Sequence, residues 1–301
     1  MKRSFLLPLI ILLSGCRQQL EVRNGAAGVA ISERGKKVLF YQVRPLKIAG
    51  AYERAGYVHP LYDLKGNIVT EDGPVDHPYH RGIYWAWHQV LRDGKMVADG
   101  WVSENISYRP VDVRTGKKKG RAFIEAELRW SVPGVPGAAD IIKELTTIVV
   151  HAAHKHYRAV DFTVKLIPLE DGIALGGADD EKGYGGFCLR LQLPEDISFH
   201  AGQQRVTAME RAVFAGPWMD FAGSFGGAGE GRSGITVFCQ PDASGLWILR
   251  ERKSMQNPVF PGRVPRLVPR EGWTLRYRLI VHDGTLDEQQ LDSLYRHYAR
   301  Q

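Results

Sequence analysis

The sequence predicts an all-β protein: a large antiparallel two-sheet β-sandwich, supersandwich-like, with a C-terminal helix. Short runs of alternating polarity, bounded by Gly, Asp or Pro, recur along the chain after residue 25, and helical periodicity is nearly absent before the C-terminal end. A dozen or more such runs exceed one small sandwich. The sequence shows no blade-length repeat, so it favours a sandwich over a propeller.

Two strands have the clearest pattern of one buried and one wetter face. In 124–130 Ile, Ala, Leu and Trp alternate with Glu, Glu and Arg, and in 160–166 Val, Phe, Val and Leu alternate with Asp, Thr and Lys. Further strands are predicted at 38–43, 57–62, 82–91, 144–150, 234–240, 246–251 and 273–282.

The last element is predicted to be a helix. Thr285 and Glu288 have the spacing of a capping box. An apolar stripe follows at Leu291, Leu294, Tyr295 and Tyr298. We expect this stripe to pack against the outer face of a sheet.

Composition indicates an ordinary folded chain. The 301 residues are 44% hydrophobic and 10% aromatic, too apolar for disorder, and three cysteines are too few for a disulfide scaffold. The formal net charge is +7. The only compact basic run, at 117–119, lies between glycines and is predicted to be a solvated hairpin tip, so we expect no nucleic-acid partner.

The N-terminus reads as an export signal. Residues 1–15 combine Lys2 and Arg3 with an apolar run that is too short to span a bilayer. The segment Leu-Ser-Gly-Cys ending at Cys16 resembles a bacterial lipobox, which implies acylation of Cys16 and a membrane anchor. We therefore expect a signal peptide (1–15), a lipidated tether (16–25) and one β-sandwich domain (26–301), exported to the periplasm or outer membrane.

Two cysteines remain in the expected mature domain. Cys188 and Cys239 both lie in apolar strand-like runs, where a free cysteine behaves as a small buried hydrophobe. Two buried thiols are favoured over a disulfide, which would require close Cβ atoms on adjacent strands.

Chemistry is expected where histidines cluster, at His59, His77, His80 and His88. The segment His-Pro-Tyr-His-Arg-Gly (77–82) is predicted to be a loop that presents imidazoles and Arg81 before a strand. Along that strand Tyr84, Ala86 and His88 share a face, with room over Ala86.

This cluster suits acid/base chemistry on a polyhydroxylated ligand. His77 or His80 would carry the proton, His88 would be the second titrating group, and Arg81 would stabilise developing negative charge. The alternatives are that the histidines bind backbone carbonyls, or that His77, His80 and a strand histidine bind a divalent metal with Glu71 or Asp76. No cofactor is favoured.

Other residues are expected to orient a carbohydrate ligand. Lys182 and Tyr184 follow a Gly-rich approach, and Arg190 is unusual inside a strand unless it pairs with a carboxylate across the sheet. Tyr84 and His59 complete this substrate-binding set. Two weaker groups are His151, His154 and His156, predicted to be solvated turn residues, and Trp218 with Asp220.

Four segments in order resemble the bacterial PmoA-like family over roughly residues 25–300: HPLYDLKGNIVTEDGPVDHPYHRGIYWAWHQ, GGFCLRLQLP, GPWMDFAG and NPVFPGRVPR. The resemblance implies an exported protein of bacteria that degrade polysaccharides. The strand-rich length and the closing WTLRYRLIVHDG also look like the supersandwich of the galactose mutarotase-like group, a likeness of fold only.

Three functions follow from these observations. The first is an exported lipoprotein that acts on a carbohydrate or modified glycoside by histidine acid/base chemistry. The second is a non-catalytic carbohydrate-binding lipoprotein that uses the same face. The third is a metal-dependent oxygenase or hydrolase that uses the histidine cluster.

Overall fold

The computed structural model describes residues 20–133, 140–202, 204–227, 229–252 and 254–301. It is 53% strand and 4% helix, with large antiparallel sheets and one C-terminal helix, which confirms the predicted all-β sandwich class. The predicted signal peptide, Cys16 and the start of the tether lie outside the described residues.

Twenty-four strands and one helix follow one another along the described chain. They are β1 (Leu20–Asn24), β2 (Gly28–Glu33), β3 (Lys36–Gln42), β4 (Leu46–Ile48), β5 (Ala51–Arg54), β6 (Tyr57–Leu61), β7 (Ile83–Ala86), β8 (Gln89–Arg92), β9 (Lys95–Ala98), β10 (Ser107–Lys118), β11 (Arg121–Ser131), β12 (Asp140–His151), β13 (Tyr157–Pro168), β14 (Ile173–Gly176), β15 (Gly186–Arg190), β16 (Ser198–Ala201), β17 (Gln204–Arg205), β18 (Val213–Phe214), β19 (Trp218–Gly223), β20 (Ser233–Cys239), β21 (Leu246–Ile248), β22 (Met255–Pro258), β23 (Arg266–Leu267), β24 (Trp273–Asp283) and α1 (Glu288–Ala299).

Two nine-stranded sheets form the body of the molecule. The first has the order β1-β2-β3-β6-β7-β15-β22-β21-β18, and the second has the order β10-β11-β12-β13-β24-β20-β19-β16-β17. A four-stranded sheet, β23-β14-β8-β9, and the β4–β5 hairpin complete the described sheets. Because β7 pairs with β15 from much later in the chain, residues from distant segments meet at one end of the first sheet.

The two large sheets share one apolar core. Phe187 of β15 stacks on Tyr277 of β24 with 4.2 Å between ring centroids and meets Phe162 of β13 edge-on at 5.4 Å. The predicted alternation in β11 and β13 is confirmed, with one side chain in two fully buried. Each large apolar side chain buried in this way contributes about 1.5–3 kcal/mol.

The helix begins three residues after the predicted cap. Asp287, rather than Thr285, is the N-cap: its carboxylate accepts from the Gln290 backbone N–H at 2.8 Å, and the Gln290 side chain accepts from the Asp287 N–H at 3.3 Å. The apolar stripe packs on the outer face of the second sheet as predicted, with Leu291 and Tyr298 buried against Trp218, Phe238 and Ile280.

Three smaller predictions concern thiols, turns and the membrane. Cys188 and Cys239 are free and buried, as favoured, and burial raises the pKa of both thiols. The basic run 117–119 lies at the β10–β11 hairpin, also as predicted. None of the helices in the described ranges is long and apolar enough to cross a membrane.

Candidate functional site

The loop between β6 and β7 crosses the end of the first sheet and is held in place by backbone hydrogen bonds. The His80 N–H donates to the His77 carbonyl at 2.9 Å, and the Arg190 N–H of β15 donates to the Gly82 carbonyl at 2.7 Å. Only glycine fits at residue 82, since a Cβ there would lie 2.3 Å from the Val58 carbonyl oxygen. Backbone contacts therefore fix the loop at residues 77–80 and at Gly82, and the positions of its side chains are fixed with it.

This loop forms one wall of a cavity of about 290 Å³. Of the predicted site residues, His77, His80, Lys182 and Tyr184 line it. The structure thus brings together residues about a hundred positions apart in the chain. The full lining is His77, Tyr79, His80, Trp101, Lys182, Tyr184, Arg250, Ser254 and Met255.

A chain of charged hydrogen bonds orients His77. Arg190 Nη2 donates to both oxygens of Asp76, at 3.0 and 3.1 Å, and Asp76 Oδ2 lies 2.9 Å from His77 Nδ1. Burial alone would raise the pKa of Asp76, but the hydrogen bonds from His77 and Arg190 outweigh it and lower the pKa to about 2. Because the carboxylate only accepts, Nδ1 carries the hydrogen in this contact, and in the neutral tautomer the lone pair lies on Nε2.

Arg190 is the buried centre of this arrangement. Its side chain is 1% exposed, and its Nε donates to Glu71 Oε2 at 2.8 Å. Of the two interpretations of this residue, pairing with a carboxylate across the sheet is therefore the one that the structure shows. Arg190 lies behind the cavity lining and positions Asp76.

His80 differs from His77 although the two rings stack at 4.6 Å. Desolvation, followed by the charges of His77 and Arg190, lowers the pKa of His80 to about 2. Its Nδ1 lies 3.4 Å from Arg190 Nη1, and since arginine only donates, the His80 proton is on Nε2. His80 is thus a neutral hydrogen-bond donor, which disfavours its predicted role as proton acceptor.

A second aspartate–histidine pair lies behind the cavity. His88 Nδ1 is 2.8 Å from Asp99 Oδ2, and Asp99 Oδ1 accepts from the Trp101 backbone N–H at 2.8 Å. The His88 ring stacks on Trp101 at 5.3 Å and meets Tyr184 edge-on at 5.1 Å. His88 lies between β7 and β8, not on one strand with Tyr84 and Ala86 as predicted, and it contacts two residues of the cavity lining without belonging to the lining.

Aromatic rings make the apolar part of the cavity. Trp101 and Tyr184 meet edge-on at 4.8 Å, and Tyr79 meets His80 edge-on at 5.0 Å. Desolvation and then the nearby Asp180 carboxylate raise the pKa of Tyr184 to about 12, so its phenol stays protonated at neutral pH. Such rings stack on the apolar faces of sugars.

Besides Arg190 and His88, three more predicted site residues lie outside the cavity lining. Arg81 is fully buried and donates to the backbone carbonyls of Leu46, at 2.9 Å, and Tyr52, so it holds the β4–β5 hairpin. Tyr84 has no exposed surface and contacts the Trp101 ring at 5.8 Å; Ala86 is buried in the same apolar cluster, so the room predicted over it is filled. His59 bonds Thr70 Oγ1 through Nδ1 at 3.0 Å, and burial lowers its pKa.

The position of the Arg190 guanidinium argues against the predicted metal site. Asp76 and Glu71, its predicted carboxylate ligands, both turn to Arg190, which occupies the position beside them that a cation would take. Among the described residues no group of three or more His, Cys, Asp or Glu side chains has the arrangement of a metal site.

The weaker predicted groups lie elsewhere. His154 and His156 are exposed in the turn between β12 and β13, as predicted, and line a cavity of about 780 Å³ beside the start of α1. His151, predicted with them as a turn residue, instead ends β12, and its Nε2 lies 2.7 Å from Asp161 Oδ2. Asp220 bonds the buried His282 Nε2 at 2.9 Å in the second sheet. No histidine side chain in the described lining of the larger cavity is hydrogen-bonded to an aspartate carboxylate, whereas His77 is, so the cavity beside His77 is the candidate site.

Five lining residues were not predicted as site residues: Tyr79, Trp101, Arg250, Ser254 and Met255. Trp101 follows Asp99 and Gly100 after a strand, an Asp-Gly-Trp sequence similar in composition to the Gly-Pro-Trp-Met-Asp segment that was noticed. Nothing in the pattern around Arg250 distinguished it from other strand-end arginines.

Comparison with known proteins gives a family and a distant likeness to a solved structure. The structure is a heparan sulfate lyase HepC mutant from Pedobacter heparinus, with 9% identity and a TM-score of 0.39; the alignment covers 89% of this chain and 35% of that one, so the chain spans about a third of its length. No curated protein matches the chain. A model of a family of unknown function, DUF6807, matches residues 28–296, and the protein therefore belongs to that family.

Proposed function

We propose that this protein is an exported lipoprotein that acts on a carbohydrate or modified glycoside by histidine-based acid/base chemistry. The observation that carries the proposal is His77, whose Nδ1 is held by Asp76 while the rest of the ring lies on an aromatic-lined cavity. A side chain held in this way by a carboxylate is oriented to take a proton at Nε2.

Two residues of the cavity lining would transfer protons, His77 as the acceptor and Tyr184 as the donor. The C–H bond next to a sugar carbonyl breaks: its proton bonds to His77 Nε2, its electron pair forms the C=C bond of an enediol, and the carbonyl oxygen takes a proton from the Tyr184 hydroxyl. Return of a proton from His77 to carbon and of the enediol proton to the Tyr184 phenolate completes the turnover. His80 donates a hydrogen bond from Nε2 and holds the sugar. Asp76 stays charged throughout and stabilises the imidazolium, while Arg190 holds the Asp76 carboxylate in place.

Turnover of a panel of glycosides, oligosaccharides and keto-sugars tests this function. We expect the wild type and His156→Gln, an exposed histidine far from the cavity, to convert the same compound at equal rates. His77→Gln should be slower by at least about 100-fold, the usual contribution of a general base.

Other outcomes would favour the alternatives. Binding of a sugar without turnover would identify a non-catalytic carbohydrate-binding lipoprotein. Full turnover by His77→Gln would remove the proposed base, and loss of turnover on adding a chelator would support a metal-dependent oxygenase or hydrolase.

The envelope location belongs to the same proposal and is supported by the sequence of residues 1–16 alone. Acylation of Cys16 would keep the domain on the membrane through several acyl chains. Metabolic labelling with a tagged fatty acid, which Cys16→Ser should abolish, tests the anchor. The PmoA-like resemblance supports export and carbohydrate work, whereas the matched family names no activity.

A further inference from the structure

Charge is unevenly distributed around the proposed sugar cavity. Lys182 and Arg250 are cationic, and none of the described residues that line the cavity carries a carboxylate. A cavity for a neutral sugar needs no such excess, because hydroxyl groups are bound equally well by carboxylates and amides.

The nearest carboxylates are engaged elsewhere. Asp76 faces Arg190 and His77, and Asp99 faces His88. Asp180, two residues before Lys182, turns its Oδ1 to the backbone N–H groups of Lys182 and Gly183, at 2.9 and 3.2 Å. Each of these carboxylates therefore has hydrogen-bond partners of its own, and among the described residues none of the three is paired with Lys182 or Arg250.

Lys182 is the cation best placed to contact a ligand. It is half-buried, and within the described part of the chain its ammonium has no hydrogen bond or ion pair. Partial burial of an ammonium costs free energy unless an anion or other acceptors surround it. An acidic ligand would supply the anion that the described residues do not provide to the Lys182 ammonium.

Arg250 supports this charge from the cavity wall. It donates to the backbone carbonyls of Met209, Leu249 and Glu210 at 2.7–2.9 Å, so its position is fixed. Unlike Arg190, it has no carboxylate hydrogen-bonded to it among the described residues. Its charge remains available to a ligand in the cavity.

We infer that the ligand of this cavity is an acidic glycan, whose carboxylate or sulfate binds the Lys182 ammonium with Arg250 nearby. The inference rests on the proposed function and specifies its substrate class. A charge-assisted hydrogen bond of this kind typically changes affinity about tenfold or more.

Calorimetric titration of the full chain in detergent tests the inference. The probes are an oligogalacturonate and its methyl ester, and a sulfated galactan oligosaccharide and its desulfated counterpart. Whichever anion is recognised, we expect the acidic member of its pair to bind at least about tenfold more tightly, and more weakly as salt is added. Lys182→Gln should remove this preference, Lys182→Arg should restore most of it, and Lys155→Gln, an exposed lysine of the β12–β13 turn, should leave it unchanged.

The failures of the two proposals are distinguishable. Equal affinity for acidic and neutral members, or an unchanged preference in Lys182→Gln, overturns the acidic ligand and leaves a sugar site standing. Binding of none of the four probes counts against the acidic ligand, and absence of turnover and binding across the wider neutral panel removes the proposed function itself.

Discussion

Two adjacent histidines in one loop have different protonation chemistry because their partners differ. His77 faces a carboxylate, and His80 faces the Arg190 guanidinium and is 2% exposed. The residue types and their spacing indicated that this loop was the place for proton transfer. They did not show which ring would be the base, because Arg190 comes from β15 and reaches the loop only through the folded sheet.

The low pKa of His80 predicts how stability changes with pH. The unfolded chain binds a proton on His80 below its ordinary pKa of 6.5, whereas the folded chain does so only near 2. The free energy of unfolding should therefore fall as pH decreases from 6.5, by up to about 1.4 kcal/mol per pH unit for this group.

Denaturant unfolding at several pH values between 4 and 7 measures this slope. The variant His80→Asn should have a shallower slope, and His156→Asn should keep the slope of the wild type. An identical slope in His80→Asn would show that His80 is not kept neutral by the fold.

At the scale of elements, arginines fasten loops to sheets around the cavity. Arg81, at the start of β7, holds the β4–β5 hairpin through two backbone carbonyls, and its Nη1 lies 3.5 Å from Asp72 Oδ1. Its predicted role was to stabilise negative charge in a reaction. The position in the loop was informative, but burial, which decides the role, depends on a hairpin that the sequence pattern did not predict.

Loss of the Arg81 hydrogen bonds should make the β4–β5 hairpin more mobile. In Arg81→Met, we expect trypsin to cleave after the exposed Lys47 several times faster than in the wild type, and the free energy of unfolding to fall by about 1–3 kcal/mol because buried carbonyls lose their donor. The surface variant Arg270→Met, which loses an exposed ion pair with Asp171, serves as the control. Unchanged cleavage in Arg81→Met would mean that the hairpin is held by other contacts.

For the whole molecule, hydrophobic periodicity predicted the fold class and the C-terminal helix, whereas the pairing of strands determined the rest of the architecture. The alternation in β11 and β13 revealed the sandwich because burial on one face repeats every two residues. That two-residue repeat does not determine the order of the strands in the sheets. The meeting of Trp101, Lys182 and Arg250 with the histidine loop arises from pairings between distant strands, such as β7 with β15 and β15 with β22.

The central claim is that sugar binds in the cavity beside His77 and not in the larger one beside α1. Imidazole NMR resonances of the histidine-labelled protein, recorded while the converted or bound saccharide is added, test it directly. We predict that the resonances of His77 and His80 shift with saturation and that those of His154 and His156 stay in place. Shifts confined to His154 and His156 would contradict the account and move the site to the cavity beside the helix.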